Sequence, residues 1–248
     1  MRANTTQHPL DMIRKNDTPL DCEHCKVRSK SIFCDLHHQD MEAFTNAKAC
    51  MTYKRGQTIF REGGFPHGLY CINSGKVKIY QLGDEGKEQI VRLAREGDVL
   101  GYRALLSADR YNATAEPLED TDVCFIPKET LFKLIETNSS FTLQVMKLLS
   151  NDLKNAEHKI TQLAQKPVRE RVAESLLFLK ETYGLETDEQ TINVTLSREE
   201  LANIVGTATE TAIRLLSEFK HDHIIELIGK KIRILDLRKL VQTANVLD

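Results

Sequence analysis

The sequence predicts an α+β protein, with an antiparallel β-barrel or sandwich first, one long helix next, and a small domain of helices and a hairpin last. Three observations indicate this fold class. Between about residues 53 and 127, short β-type runs are separated by glycines, which is typical of antiparallel sheets. After residue 137 apolar residues recur at helical spacing. After residue 196 two short helical patterns precede a strand–turn–strand pattern.

We divide the chain into an N-terminal cysteine-containing arm (1–40), a β-roll (41–137), a long helix (138–166) and a C-terminal domain (167–248). The predicted strands of the roll include "TIF", "LYCI", "KVKIYQL", "QIVRLA" and "DVCFI". In the C-terminal domain, "EQTINVTL" is predicted as a strand, and "IIELIGKKIRILDL" as two strands around a Gly229-Lys230 turn.

Composition restricts the class of protein. The chain has 248 residues, of which 41% are hydrophobic and 28% charged, as expected for a globular protein with room for two small domains. Neither a run of the roughly 20 apolar residues that a membrane helix needs nor an N-terminal signal core is present. We therefore expect a cytoplasmic protein with no membrane partner. Because the net charge is −2, any contact with nucleic acid must come from local placement of charge.

The long helix carries a narrow apolar stripe. Apolar residues recur at spacings of 3, 4, 3, 4 and 3, which is a heptad repeat. A helix packed on its own roll is one interpretation, but the flanking residues are charged, and a narrow stripe favours a two-helix coiled coil. We predict a parallel homodimer through this helix. The predicted interface residues are Met146, Leu149, Leu153, Ala156, Ile160 and Leu163.

The segment "SREELANIVGTATETAIRLLSEFK" predicts two short helices joined at Gly206. Ser197 and Glu200 form an S-x-x-E capping box, so the first helix begins at Arg198. In the second helix we expect Thr211, Leu215 and Leu216 to face inward. The residues left facing outward are Thr209, Glu210, Ile213 and Arg214.

That outward face has two structural interpretations and one functional one. Glu210 and Arg214 are spaced for a surface ion pair, and Glu210 is spaced for a capping box with Thr207. Two helices with a following hairpin also make a winged helix-turn-helix, whose second helix enters the DNA major groove. There Arg214 would read guanine, Glu210 would accept from cytosine, and Ile213 would contact a thymine methyl. We predict DNA contacts by Ser197, Arg198, Thr209, Glu210, Ile213 and Arg214, with Arg198 on a phosphate.

On these motifs the sequence resembles the CRP/FNR transcription regulators over nearly its whole length. The segment from "YKRGQTIF" to "GYRALL" is similar to their cyclic-nucleotide-binding-type β-roll (a jelly roll), and the heptad helix to their dimerisation helix. Glu210, Thr211 and Arg214 lie on the family's E-T-x-x-R pattern. The resemblance implies a homodimeric activator whose partners are double-stranded promoter DNA and RNA polymerase. Neither a P-loop nor an H-E-x-x-H or hydrolase motif points to an enzyme, and a purely regulatory module would lack the winged helix.

The resemblance also identifies where a cyclic nucleotide would bind. Tyr102 stands where the cyclic-AMP-binding members have a Glu, and Asn112-Ala113 stand where they have Arg-Ser. Arg103 and Arg110 are close by in sequence but off register, and Ala156 and Glu157 replace base-contacting hydroxyls. Cyclic AMP is therefore not expected, while another small ligand in the same cavity stays open.

A second candidate sensor is the cysteine set. Cys22, Cys25 and Cys34 form C-x2-C-x8-C, and the oxygen-sensing branch of the family binds a [4Fe–4S] cluster through three N-terminal cysteines and one distant cysteine, whose position here is Cys124. Zinc is an alternative, with His24, His37 or His38 as substitute ligands. Inert thiols on the arm, a core cysteine at position 124, and a metal-free regulator also stay open. Cys50 and Cys71 are expected to be structural.

Overall fold

The computed structural model describes residues 22, 25–83 and 85–246, apart from the side chains at positions 38, 39 and 43. A 3₁₀ turn at Arg28–Lys30 precedes the first helix. The helices are α1 (His38–Ala47), α2 (Tyr102–Leu106), α3 (Lys128–Thr137), α4 (Ser139–Gln165), α5 (Val168–Tyr183), α6 (Arg198–Val205), α7 (Thr209–His221) and α8 (Leu237–Ala244). The strands are β1 (Ala49–Tyr53), β2 (Gly68–Ser74), β3 (Val77–Leu82), β4 (Glu88–Ala94), β5 (Val99–Leu100), β6 (Thr114–Pro117), β7 (Thr121–Pro127), β8 (Ile225–Ile228) and β9 (Lys231–Ile234).

The predicted antiparallel roll is confirmed. One sheet has the strand order β1-β7-β2-β5 and the other β4-β3-β6, and all neighbouring strands within each sheet are antiparallel. Tyr70, Ile72, Val77 and Val123 belong to the buried cluster shared by the two sheets. The other face of the four-stranded sheet packs under helices α1, α3 and the start of α4.

Some predicted strands of the roll differ from those observed. "TIF" (58–60) is not a strand, because only Phe60 forms a bridge, with Ala115. Strands β1, β5 and β6 were not predicted from the sequence. They are short segments that become strands through pairing with partners distant in the chain, as β1 does with β7.

The long helix is confirmed as α4. Asn138 is its N-cap, and its Oδ1 accepts a hydrogen bond from the Phe141 backbone N at 3.0 Å. Phe141 and Val145 are buried against the roll. Beyond Val145 the predicted interface residues are exposed, while Asp152 on another face of α4 still contacts Tyr102 and Arg103 of the roll.

The core of the C-terminal domain is formed mainly by α5, α6, α7, α8 and the β8–β9 hairpin, and it continues into the roll. Leu201, Leu216 and Phe219 are almost fully buried in it, and Ile90 and Leu93 of the roll join the same cluster. The strand predicted over residues 189–196 is wrong. That segment makes only isolated bridges, between Leu185 and Ile192 and between Thr191 and Arg233, because its pairing with the outer edge of β9 is too short to form a ladder. Two backbone bonds accompany it there, from Ile192 N to Ile232 O and from Ile234 N to Gln190 O.

The roll and α4 donate hydrogen bonds to the end of α6 and the turn after it. The last carbonyls of a helix lack partners within the helix, so such donors stabilise its end. The three bonds run from Gln89 Nε2 to Asn203 O (2.6 Å), from Lys159 Nζ to Ile204 O (2.8 Å) and from Lys87 Nζ to Thr207 O (3.0 Å). The helix-turn-helix is therefore held directly by the roll and α4 of the same chain.

Within the described part of the chain, no helix combines the length and apolar character needed to cross a membrane.

Candidate DNA-binding surface and thiol face

The start of α6 is fixed by the predicted capping box, which is confirmed. Ser197 Oγ accepts from the Glu200 backbone N at 3.0 Å, and Glu200 Oε2 accepts from the Ser197 backbone N at 2.6 Å. Gly206 ends α6 in the left-handed region, with φ of +73°. A Cβ at this position would lie 2.8 Å from Leu163 Cδ2, so the turn requires glycine both for its backbone conformation and for its contact with α4.

Helix α7 presents the predicted outward face. Glu210, Ile213 and Arg214 are exposed, and Thr209 is half-buried. The prediction for the inward face needs one correction, because Thr211 is only half-buried and Ala212 is the buried residue. Leu215 and Leu216 are buried as predicted.

Neither structural interpretation of Glu210 is borne out. The N-cap of α7 is Ala208, and no side chain caps this helix end, so Glu210 and Thr207 do not form a capping box. Arg214 pairs with Glu218 instead of Glu210, with 2.5 Å between Nη1 and Oε1. The two partners are equally spaced from Arg214 along the helix, so local spacing alone does not choose between them.

Sequence reasoning missed the ion-pair network around Glu218. Glu218 Oε2 also accepts from Arg169 Nη1 at 2.6 Å, and Arg169 Nη2 donates to Asp222 at 2.9 Å. The side chain of Arg214 is 65% exposed, and exposed ion pairs contribute roughly 0–1 kcal/mol. The bond to Glu218 is therefore easily exchanged for a bond to another acceptor.

Arg198 lies against the tip of the β8–β9 hairpin rather than projecting freely. Its Nη2 donates to Gly229 O at 2.8 Å. Its Nη1 is buried and has no hydrogen-bond partner among the described residues, and burial lowers the pKa of this guanidinium. Lys230, next to Gly229 at the tip, is exposed. Arg198 thus holds the β8–β9 hairpin, the wing of the winged helix, against α6. The phosphate contact predicted for it stays a prediction.

The predicted dimer stripe on α4 is exposed in the single chain. Leu153 and Ile160 are 62% and 66% exposed, which is unusual for large apolar side chains in one row. Met146, Leu149, Ala156 and Leu163 are exposed or partly exposed as well. Leu163 differs in also contacting Gly206 of the helix-turn-helix.

The roll contains a cavity of about 210 Å³ at the position expected for a cyclic nucleotide, lined by Tyr102, Arg103, Asn112 and Ala113 among others. Its charged groups already have partners. Tyr102 Oη accepts from Arg92 at 3.0 Å and donates to Asp152 of α4, and Arg103 Nη2 lies 2.7 Å from the same carboxylate.

Arg110 is also engaged elsewhere. It donates to Gly63 O at 2.8 Å and lies over the Phe65 ring, 3.8 Å from its centroid. Neither Arg103 nor Arg110 is therefore held ready for a ligand phosphate.

Three cysteines form a row across neighbouring strands of the four-stranded sheet. Cys50 of β1 is directly opposite Cys124 of β7, which is directly opposite Cys71 of β2. Side chains alternate along a strand, and Ile72 and Val123 point into the inter-sheet core. The row therefore lies on the other face of the sheet, which we call the thiol face. Cys50 Sγ and Cys124 Sγ are 2.7 Å apart.

The arm brings two more thiols to this region. Cys22 Sγ accepts from Lys48 Nζ at 2.9 Å, and Cys25 Sγ donates to Asn73 Oδ1 at 3.6 Å. Burial raises the pKa of Cys71 to about 12, and the charges of Cys25 and Cys22 act in the same direction. Cys22 and Cys25 are thus neighbours of the thiol face.

The pKa values of Cys50 and Cys124 are shifted in opposite directions. A hydrogen bond from Cys124 lowers the pKa of Cys50 to about 7, with help from Lys48 and against the effect of burial. The same hydrogen bond, together with burial, raises the pKa of Cys124. Cys50, expected to be structural, is therefore the direct partner of Cys124.

The four predicted cluster ligands are not brought together. Among the described residues, Cys34 makes no hydrogen bond to another thiol, and no group of three or more Cys, His, Asp or Glu side chains is arranged to hold a metal ion. Of the alternative zinc ligands, His37 is exposed beside the start of α1, while His24 and the side chain of His38 lie outside the described residues. The described geometry does not fit an iron–sulfur or zinc site.

A β-roll joined through a long helix to a winged helix-turn-helix with an exposed Glu–Ile–Arg face defines a DNA-binding regulatory protein. Residues 50–138 match the cyclic nucleotide-binding domain family, and residues 170–243 match the Crp-like helix-turn-helix domain family. The chain belongs to the CRP/FNR family of DNA-binding transcription regulators.

Individual relatives agree with this assignment. The chain is 30% identical over 220 residues to the transcriptional activator protein FnrA of Stutzerimonas stutzeri, covering 86% of this chain and 89% of FnrA. It is 29% identical over 236 residues to the fumarate and nitrate reduction regulatory protein of Vibrio cholerae, covering 94% of each. The structure of FixK2 from Bradyrhizobium japonicum shares the fold, with a TM-score of 0.73 and 23% identity over 81% of this chain and 99% of that one.

Proposed function

We propose that this protein binds palindromic promoter DNA as a homodimer through α4 and activates transcription by contacting RNA polymerase. The observation that carries the proposal is the exposed first half of α7, where Glu210, Ile213 and Arg214 lie side by side in a winged helix-turn-helix. An arginine, a carboxylate and an aliphatic side chain match guanine, cytosine and the thymine methyl in the major groove. Ser197, Arg198 and Thr209 are the proposed flanking contacts.

The dimer is supported by the exposed stripe on α4. Apolar side chains at a and d positions gain free energy only when a second helix covers them. A symmetric dimer presents one α7 to each half of a two-fold site. The activating role is supported by the name of one relative, a transcriptional activator protein.

Selection from random duplex DNA with the full chain tests the DNA-binding part. We expect a two-fold palindrome with half-site centres roughly 10–11 bp apart, because adjacent half-sites must face the same side of the duplex. Direct repeats or single half-sites would contradict the dimer. In vitro transcription from the selected site then tests contact with RNA polymerase, and lack of stimulation at a correctly spaced site would overturn activation.

We propose that cyclic AMP is not the signal to which this regulator responds. Tyr102, Asn112 and Ala113 line the cavity, and Arg103 is engaged with Asp152. We expect calorimetry with cyclic AMP to give no saturable heat at micromolar concentrations. Saturable binding accompanied by tighter DNA binding would contradict this.

A second candidate for the signal is a [4Fe–4S] cluster on Cys22, Cys25, Cys34 and Cys124. Two observations favour it: Cys22 and Cys25 lie close to the face that carries Cys124, and thiolates are the usual ligands of such clusters. The position of Cys34 and the absence of a metal-ligating group among the described residues count against it.

The visible spectrum and iron content of protein purified without air test the cluster. A cluster should give colour that Cys→Ala at any of the four positions abolishes, and that Cys50→Ala and Cys71→Ala preserve. A colourless, iron-free wild type would remove the cluster and leave the DNA-binding proposal intact.

A further inference from the structure

The closest contact between two cysteines in the described chain joins residues 74 positions apart in sequence. Cys50 and Cys124 are directly opposite on antiparallel strands β1 and β7, and their sulfur atoms are 2.7 Å apart. Both are free thiols. Cys50 is half-buried, while Cys124 is 9% exposed.

The strand register brings the two backbones within the separation that a disulfide needs. Directly opposite residues in an antiparallel pair have Cα atoms about 4.5–5.5 Å apart. This lies inside the range of about 4.4–6.8 Å found in disulfides. Because five consecutive residues of β1 pair with β7 in regular register, the sheet holds Cys50 and Cys124 opposite each other.

We propose that Cys50 and Cys124 form a reversible intramolecular disulfide when the protein meets a peroxide-class oxidant. The Cys50 thiolate attacks the O–O bond of hydrogen peroxide, giving a sulfenic acid and hydroxide. The Cys124 sulfur then attacks the Cys50 sulfur and displaces the second oxygen. Two thiols and one peroxide become one disulfide and two waters, so the two electrons removed from sulfur are those that reduce the peroxide.

Cys71 provides an internal comparison for this pairing. It is also directly opposite Cys124, on the β2 side. Among the described residues, however, the sulfur contact of Cys124 is with Cys50 alone. Cys50 and Cys71 are therefore both directly opposite Cys124, but only the sulfur of Cys50 contacts the sulfur of Cys124.

The disulfide has a consequence for the proposed cluster, and only this consequence rests on the proposed function. Cys124 is one of the four thiols assigned to the cluster, and a sulfur in a disulfide is not available as a thiolate ligand. Oxidised protein should then take up no cluster until it is reduced. The disulfide itself requires no metal.

The test uses the full chain, stripped of metal, reduced and then freed of reductant without air. After brief exposure to a slight excess of hydrogen peroxide, the remaining thiols are alkylated and the protein is digested for mass spectrometry. We expect one linked pair of peptides, carrying Cys50 and Cys124, lighter by two hydrogens than the reduced pair and cleaved by dithiothreitol.

Two variants of similar chemistry serve as controls. Cys50→Ser should abolish the link, and Cys71→Ser should keep it. Complete alkylation of both Cys50 and Cys124 in the oxidised wild type would overturn the proposal, as would a link from Cys124 to Cys71 or to a second chain. The wild-type measurement decides the question even if a variant folds poorly, and its outcome is independent of whether a cluster exists.

Discussion

Helices α4 and α7 each leave one face uncovered in the single chain, but the two faces differ in chemistry. On α4 the uncovered face is a row of large apolar side chains that includes Leu153 and Ile160, both more than half exposed. On α7 a single apolar side chain, Ile213, lies between Glu210 and Arg214.

This difference supports a different proposed partner for each helix. A continuous apolar row gains free energy by excluding water, so its partner must also be apolar, and an identical helix meets that requirement. The α7 face needs a partner that offers hydrogen-bond acceptors, donors and a methyl group together, as the major groove does. Single substitutions can separate the two proposed roles. A substitution on α4 should weaken dimerisation without changing DNA sequence preference, and one on α7 should do the reverse.

The largest effect is expected on α4. Leu153→Glu buries a carboxylate in the centre of the proposed seam and should weaken dimer association by several kcal/mol, roughly 3–5. Sedimentation velocity measures the fraction of dimer that remains. Asn151→Glu, which adds the same charge at an exposed position off the stripe, is the matched control and should remain dimeric. A dimer that persists in Leu153→Glu would place the interface elsewhere.

The next effect is expected on α7. Arg214→Ala should cost roughly 1–3 kcal/mol per half-site, because it removes the proposed bidentate contact to guanine. Selection from random DNA should show that one column of each half-site loses its preference, while sedimentation shows an unchanged dimer. If the full consensus survives, Arg214 does not read a base.

Arg198→Ala should have a smaller and sequence-independent effect. A charge interaction at the protein surface contributes about 1 kcal/mol, so all DNA sequences should be weakened alike. The dependence of log K on log salt should flatten by about one unit for each phosphate that the protein no longer binds. Without the bond to Gly229 O the same variant also has a looser wing, so Arg198→Lys, which keeps the charge, should restore the salt dependence. An unchanged slope in Arg198→Ala would leave Arg198 with its structural role alone.

The smallest effect is expected from Glu218→Ala. It frees Arg214 from an exposed ion pair, so specific DNA binding should tighten by less than about 1 kcal/mol. Asp222→Ala is the matched control, because Asp222 bonds Arg169 but not Arg214. Weaker binding by Glu218→Ala alone, measured by titration at fixed salt, would mean that Glu218 orients Arg214 toward the base.

Features encoded by neighbouring residues were predictable from the sequence. The capping box of Ser197 and Glu200 is set by residues three positions apart, and the stripe on α4 follows from helical spacing alone. Features that depend on distant pairing were not. Residues 189–196 have strand composition but pair with β9 too briefly to form a strand, and Cys50 meets Cys124 only because β1 pairs with β7. The partner of Arg214 could not be chosen locally, since Arg169 from another helix helps to hold Glu218 in place.

The bonds from Gln89, Lys87 and Lys159 to the end of α6 and its turn have a thermodynamic consequence. They join the roll and α4 to the helix-turn-helix, so a change in the position of the helix-turn-helix also changes its contacts with the roll. For any signal whose binding alters that arrangement, coupling is reciprocal, and the factor by which the signal changes DNA affinity equals the factor by which DNA changes signal affinity. Under the proposed function, operator DNA then acts as an effector of the signal-binding site, so DNA-bound and free protein respond to different concentrations of the same signal.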